Sequence, residues 1–159
     1  MDKQEAPQAT NVLPDALRAH FDGTQLDAAM GEAIRLSTVS AEGWPHGAQL
    51  SVGEILAVDA SELLIAIWPQ SNTTANLRRD GRLTLSLVHD GAMLEIRGEA
   101  RELADPPLDL AVFRVRLVSV DVHRAKYADV LNGVTYRLHE PESVLARWRA
   151  QIAALRSIV

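Results

Sequence analysis

Residues 63–87 read LLIAIWPQSNTTANLRRDGRLTLSL. The first six positions are apolar on both alternating faces, which predicts a strand with its two faces covered. Trp68-Pro69 breaks that run. Four hydroxyl or amide residues follow, Ser71, Asn72, Thr73 and Thr74, and they stand in front of a short helical pattern. A helix start needs one such residue as its N-cap. Four give a surplus of hydrogen-bonding groups at the end of a helix that already carries unpaired N–H groups and partial positive charge. After Asp80-Gly81 the chain alternates cleanly, with Leu83, Leu85 and Leu87 on one face of a strand. The stretch therefore reads as strand, polar loop, short helix, strand.

Strand patterns extend on both sides of it. Upstream, IRLSTVS and AQLSVGEILAVD flank AEGWPHG, whose Gly and Pro mark a turn between antiparallel strands. A tight turn follows at residues 59–62. Downstream, Asp90-Gly91 is a hairpin signal. MLEIRGEARE alternates again, placing Leu94, Ile96, Gly98 and Ala100 inward. Asp105, Pro106 and Pro107 break the chain before the long strand VFRVRLVSVDVH. Phe113, Val115 and Leu117 share one face of that strand, whereas Val118, Val120 and Val122 fall on the other. Such a phase flip predicts a β-bulge or a crossing between sheets.

Helical patterns lie at the ends. PDALRAHF sets Leu17 and Phe21 four apart. TQLDAAMGEA offers Thr24 as an N-cap, with Leu26, Ala29 and Met30 at helical spacing. The C-terminal EPESVLARWRAQIAALRSIV predicts a strong amphipathic helix, with Pro141 in its first turn. Its stripe is Val144, Leu145, Trp148, Ile152 and Leu155. Residues 1–12 read as a disordered polar tail and residues 13–159 as a single domain. The expected class is mainly β: a small antiparallel barrel with α-helical additions.

Composition narrows the function classes. The chain has 159 residues and no Cys, which excludes a disulfide framework, a thiolate metal site and a cysteine nucleophile. Five His without ligand spacing give no metal signal. The formal net charge of −5 disfavours nucleic-acid binding. No apolar run is long enough to span a membrane, and the N-terminus has no apolar signal core, so a cytoplasmic protein is expected. No Ser stands in a G-x-S-x-G context, so a serine hydrolase is not indicated.

Three segments in order, LSTVSAEGWPHGAQL, LLIAIWPQSNTTANLRRDGRLTLSL and LEIRGEARELAD, resemble the FMN-binding split β-barrel families, whose best-known member is pyridoxamine 5′-phosphate oxidase. The stretch they span is a little under half the chain. The resemblance implies an antiparallel split barrel of Greek-key type, FMN as cofactor, and a homodimer with the flavin site at its interface. It implies an oxidoreductase acting on a small molecule. Relatives of other activity leave open a deazaflavin-dependent reductase, a flavin or haem carrier, or a barrel without cofactor that serves in interaction.

In proteins this chain resembles, the loop and helix after the covered strand hold the FMN phosphate. That carry-over falls on Ser71, Asn72, Thr73 and Thr74 as donors, with Asn76 either binding or bracing the loop. Arg78 or Arg79 would add charge, and Arg35 would add it from across the sheet. Gln49 and Ser51, two apart, are expected on one face and facing the pyrimidine edge of the flavin. Trp68 is expected beside the ring or in the core. Arg35 and Arg116 are candidates for a cation near that edge. No residue stands out as a catalytic acid or base. His46 and His89 read as ordinary turn and strand-end positions. Tyr136, Arg137, Leu138 and His139 resemble the Arg-Leu-His segment with which pyridoxamine phosphate oxidases hold substrate. The chain lacks that family's Arg-Leu-x-Pro ending and its basic run on the flavin strands, so a different substrate is expected.

Overall fold

A computed structural model describes residues 10–159. The first nine residues of the expected tail lie outside the described residues. Thr10 forms an antiparallel bridge to Val120, and Leu13 is buried with its amide bonded to the Ala60 carbonyl.

Seven strands form one antiparallel sheet: β1 (Ile34–Val39), β2 (Pro45–Leu50), β3 (Ile55–Ala57), β4 (Glu62–Ile67), β5 (Arg82–His89), β6 (Ala92–Glu102) and β7 (Ala111–His123). The helices are α1 (Asp15–His20), α2 (Asn72–Arg79) and α3 (Pro141–Arg156). The strand order is β2-β1-β5-β6-β7-β4-β3, so β2 and β3 are the two outermost strands. Yet they are joined by residues 51–54 alone. In a flat sheet they would stand about 29 Å apart, at about 4.8 Å per strand. The link from Leu50 to Ile55 spans at most about 18 Å. The sheet must therefore roll until its edges approach, with the split of the barrel falling at this link.

The pattern of side chains agrees with a rolled sheet. Ile34, Leu36 and Thr38 of β1 point inward and are buried, as do Leu83, Leu85 and Leu87 of β5 and Leu94 and Ile96 of β6. Strand β4 is buried at every position from Leu63 to Ile67, as its two-faced apolar run predicts. The phase flip in β7 is a bulge. Arg97 pairs with Ser119 and Gly98 with Leu117, which leaves Val118 unpaired. Val118 turns out to solvent, so Val120 returns to the inner face at 3% exposure. Asp90 and Gly91 both have positive φ, 50° and 71°, the geometry that a two-residue hairpin turn requires.

Helix α3 closes the split. Leu145, Trp148, Ile152 and Leu155 are buried along one stripe. The indole of Trp148 lies against Gly53, so closely that a Cβ at this position would collide with the ring. Helix α1 covers the free edge of β3, where the Ala57 amide donates to the Phe21 carbonyl at 2.7 Å. Leu17 and Phe21, fully buried, hold it there. The link's Glu54 accepts a hydrogen bond from the Ser51 amide at 2.7 Å. Burial pushes its carboxyl above the usual range, against the pull of Ser51 and Arg147.

Two expectations change. The second N-terminal helix does not form: residues 26–31 make turns. The Gly31 carbonyl and Ala33 amide bond instead to Tyr136 and Val134 of the segment that follows β7. An apolar spacing of three and four fits a turn packed on the core as well as a helix, and here the cross-chain pairing takes the backbone. The strand expected over AQLSVGEILAVD breaks at the link into β2 and β3. The Asp22 carboxylate accepts from the Thr24 amide at 2.8 Å and so braces the turn after α1. His20 and Glu32 form an ion pair at 2.7 Å between α1 and the lead-in to β1.

Replacing Gly53 with Ala should destabilise the fold by about 1–3 kcal/mol through overpacking against Trp148. In a Trp148→Ala background that penalty should vanish; an equal penalty in both, measured by denaturant unfolding, would count against the contact. The hydrogen bond that His20 donates to Glu32 raises the His20 pKa above its ordinary 6.5, outweighing burial. A raised basic pKa stabilises fully below the unfolded value and is lost as pH rises through the folded one. The thermal midpoint should therefore fall from about pH 6.5 upward, and Glu32→Gln should flatten that step. Parallel pH curves for the two proteins would remove the pair from the account.

Candidate functional site

Strand β4 lies near one side of the sheet and β5 near the other, so the chain must cross over between them. Helix α2 is that crossover. It packs on the inward face against β1, with Leu77 buried. Its anchor is Asn76, buried at 5% exposure. The Asn76 amide donates to Thr38 Oγ1 at 3.0 Å. Its carbonyl oxygen accepts from Arg79 at 3.0 Å, and the same Arg79 nitrogen reaches the Val39 carbonyl at 2.6 Å. This chain ties the helix to β1 at the foot of the β1–β2 turn. Asn76 is thus the brace of the loop.

The four residues at the helix start divide into two pairs. Ser71 is the N-cap: its hydroxyl accepts from the Thr74 amide at 3.1 Å. Thr74, fully buried, donates its hydroxyl to the Trp68 carbonyl at 2.6 Å. These two groups hold the loop together. Asn72 and Thr73 occupy the first two helical positions. Among the described residues their amides meet no acceptor. The Asn72 side chain beside them is exposed, whereas Thr73 is buried at 5% exposure. Two open N–H groups at the positive end of a helix suit an anion.

A depression of about 390 Å³ lies along this helix. Asn72, Asn76 and Arg79 line one side, and Ser40, Glu42 and His46 of the β1–β2 turn region the other. His46 pairs with Thr38 in register and faces inward. Its place beside the helix was invisible in the sequence, because only the crossover brings the turn and α2 together.

The other candidates lie elsewhere. Arg78 is held by Glu102 in a bidentate pair, both bonds 2.7 Å, so its charge is matched. Arg116 is likewise paired with Glu99 at 2.7 Å. Trp68 is 62% exposed at the loop and outside the core. Gln49 is exposed on the outward face of β2. Ser51, beyond the strand end, is buried in the link, and among the described residues its hydroxyl has no partner. The alternation stops at Leu50, so Gln49 and Ser51 do not share a face. Arg35 points outward from β1, opposite in sense to Thr38, and pairs in register with Gln49 and Ser86. It lies about 13 Å along the strand from Val39, at about 3.3 Å per residue. Within one chain it does not join α2. Arg137 and His139 are exposed after the last strand.

Among the described residues no three His, Asp or Glu converge as a metal site, and no helix is long and apolar enough to cross a membrane. Asn76→Ala should cost about 1–3 kcal/mol, because it strips a partner from buried Thr38 and from Arg79. A change under half of that in equilibrium unfolding would contradict the bracing role.

Comparison with known proteins agrees with this architecture. The family model described as pyridoxamine 5′-phosphate oxidase matches residues 29–132. The uncharacterized protein YclD of Bacillus subtilis (strain 168) is 39% identical over 151 residues, covering 92% of this chain and 97% of that one. A proposed pyridoxamine 5′-phosphate oxidase from Lactobacillus delbrueckii shares the fold at a TM-score of 0.54 and 18% identity, over 74% of this chain and 98% of its own. An FMN-binding protein from Syntrophomonas wolfei does so at a TM-score of 0.50 and 16% identity, over 68% and 87%. With a rolled antiparallel sheet, a helical crossover and a family match over most of its length, the chain belongs to the pyridoxamine 5′-phosphate oxidase family, on the split β-barrel fold.

Proposed function

We propose that this protein binds FMN with the phosphate at the start of α2, and that it is a flavin-dependent oxidoreductase acting on a small molecule. The pair of open amides at Asn72 and Thr73 carries the reading. The donor set at the helix start fits a phosphate: two N–H groups and the exposed Asn72 side-chain amide at the edge of the depression, with the Thr73 hydroxyl next to them. Ser71 and Thr74 act indirectly, by fixing the loop whose amides do the binding.

Bound FMN would supply electron or hydride transfer at its ring, chemistry that belongs to the cofactor. The chain's part is to bind, orient and shield. The exposed Trp68 at the loop offers an apolar surface to a ring held near α2. A homodimer accords with the outward face of β1 and β5, where Ser37, Thr84 and Ser86 leave room for close approach. In that assembly the outward Arg35 and Gln49 would face the second copy.

Purified protein should show the visible absorbance of oxidised flavin, or gain it on adding FMN. Thr73→Val should weaken FMN by about tenfold while leaving riboflavin nearly unchanged, since only FMN carries the phosphate. Thr74→Val should lower stability and weaken both ligands alike, because its hydroxyl holds the Trp68 carbonyl. A colourless protein that takes up no FMN would sink the proposal. Equal loss of both ligands in Thr73→Val would remove the phosphate from α2.

A further inference from the structure

Residues 124–139 follow β7 and carry no helix or strand beyond a single bridge, Thr135 to Glu32. The Ala33 amide donates to the Val134 carbonyl at 3.1 Å, and the Tyr136 amide donates to the Gly31 carbonyl at 2.9 Å. This arm is therefore fastened to the barrel on either side of Glu32. Side chains add little hold there. Leu131 is 89% exposed, residues 132–135 are exposed as well, and Leu138 is only half-buried against the core. A segment that buries so little apolar surface opens locally far more readily than the core. Small charge effects at its anchor then set how often it opens.

That anchor is an ion pair. His20 Nε2 lies 2.7 Å from Glu32 Oε2. His20 is fixed on its own side: Phe21 next to it is fully buried, the Phe21 carbonyl receives the Ala57 amide, and the two rings meet edge to face at 5.3 Å. The pair accordingly restrains Glu32, and with it the flanking backbone groups that hold the arm. We propose that this junction is a proton-controlled clasp: the arm is seated while His20 carries its proton, and it opens around Tyr136 when His20 is neutral. Imidazole is the side chain whose charge changes near neutral pH. Other charged groups lie within electrostatic reach. Asp22 of the turn after α1 acts on His20, Glu54 of the link and Glu32 both act on the Tyr136 phenol, and Arg147 of α3 acts on Glu54. Burial, then these two carboxylates, push the phenol up to about 12, so Tyr136 stays neutral. The hydrogen bond to Glu32 raises His20, and burial raises Glu54. Both groups bind a proton more tightly in the folded chain. Each contributes hold that is complete below its unfolded value and is lost as pH rises through its folded one. The two steps therefore loosen the junction in the same direction, and the one due to His20 begins at about pH 6.5. The clasp does not rest on FMN being bound.

The test is amide hydrogen exchange of the full chain, read by NMR from about pH 5.5 to about pH 8.5, on both sides of the ordinary imidazole value. Protection is corrected for the intrinsic exchange rate at each pH. The Val130 amide, bonded to the Gly91 carbonyl at the far end of the arm, serves as the internal reference. Relative to it, protection of the Tyr136 and Ala33 amides should fall about threefold across this range. The midpoint of that fall should coincide with the titration of the His20 ring, followed by its own resonances. His20→Gln keeps a donor without the change of charge and should remove the step. Glu32→Gln serves if that variant does not fold, and the coincidence of midpoints in the unaltered chain needs no variant. Glu54→Gln should leave the step in place. A flat profile, a step shared equally by Val130, a midpoint away from that of His20, or a step that persists in His20→Gln would overturn the clasp. So would loss of the step in Glu54→Gln, which would make the link the sensor. FMN uptake is read separately by colour, so failure of either reading leaves the other standing.

Discussion

The shortness of residues 51–54 governs the molecule. Four residues join the two outermost strands of a seven-stranded sheet, and no flat sheet can satisfy that. Rolling the sheet creates an inside, which the alternating Leu and Ile residues fill, and it leaves a seam where β2 and β3 approach. A seam exposes backbone and core, so it needs a cover. Helix α3 supplies it with Trp148, and Gly53 lets the indole lie directly on the link. Each fully buried Leu or Ile of that helix adds about 1.5–3 kcal/mol relative to exposure. The burial of Glu54 follows from the same packing, because the carboxylate that organises the turn lies under the helix.

The roll also dictates the crossover. With β4 and β5 on opposite sides of the strand order, their connection has to traverse the open end of the barrel, and α2 is short enough to do so in eight residues. A buried polar chain then fixes its position: Thr38 to Asn76, Asn76 to Arg79, Arg79 to the Val39 carbonyl. Satisfied polar networks of this kind specify one arrangement, since a shifted helix would leave a buried amide unpaired. The open amides of Asn72 and Thr73 are held in place by contacts that lie one and two turns further along. A ligand site built this way inherits its rigidity from the core.

Much of this was legible in the sequence, because period-two patterns report directly on which face is buried. The alternation in β5 and β6, the Asp90-Gly91 turn and the phase flip at Leu117–Val118 each named a local geometry that backbone sterics enforce. Residues 24–33 misled, since Leu26, Ala29 and Met30 must meet the core whether they sit in a helix or in turns. What decides between the two is the pairing of Gly31 and Ala33 with an arm a hundred residues later, and spacing carries no trace of it. The polar loop was legible as a surplus of donors but not as a division of labour. Which hydroxyl caps and which remains open depends on the Trp68 carbonyl turning back over the helix start. The resemblance assigns Arg35 to that loop as a cation reaching it from across the sheet. The sheet separates them, since odd and even residues of β1 face opposite sides.

The charge pattern gains meaning from that separation. A chain of net charge −5 is an unpromising anion binder if charge is averaged over the surface. Local fields depend on which cations lack a neutralising neighbour. Arg78 with Glu102, Arg82 with Asp80, Arg114 with Glu62 and Arg116 with Glu99 cancel in pairs along the strands. Among the described residues, the features that pairing has not reached include the positive end of α2 on the inward side, where no acidic residue occupies the first turn, and Arg35 on the outward side. Both lie beside concavities.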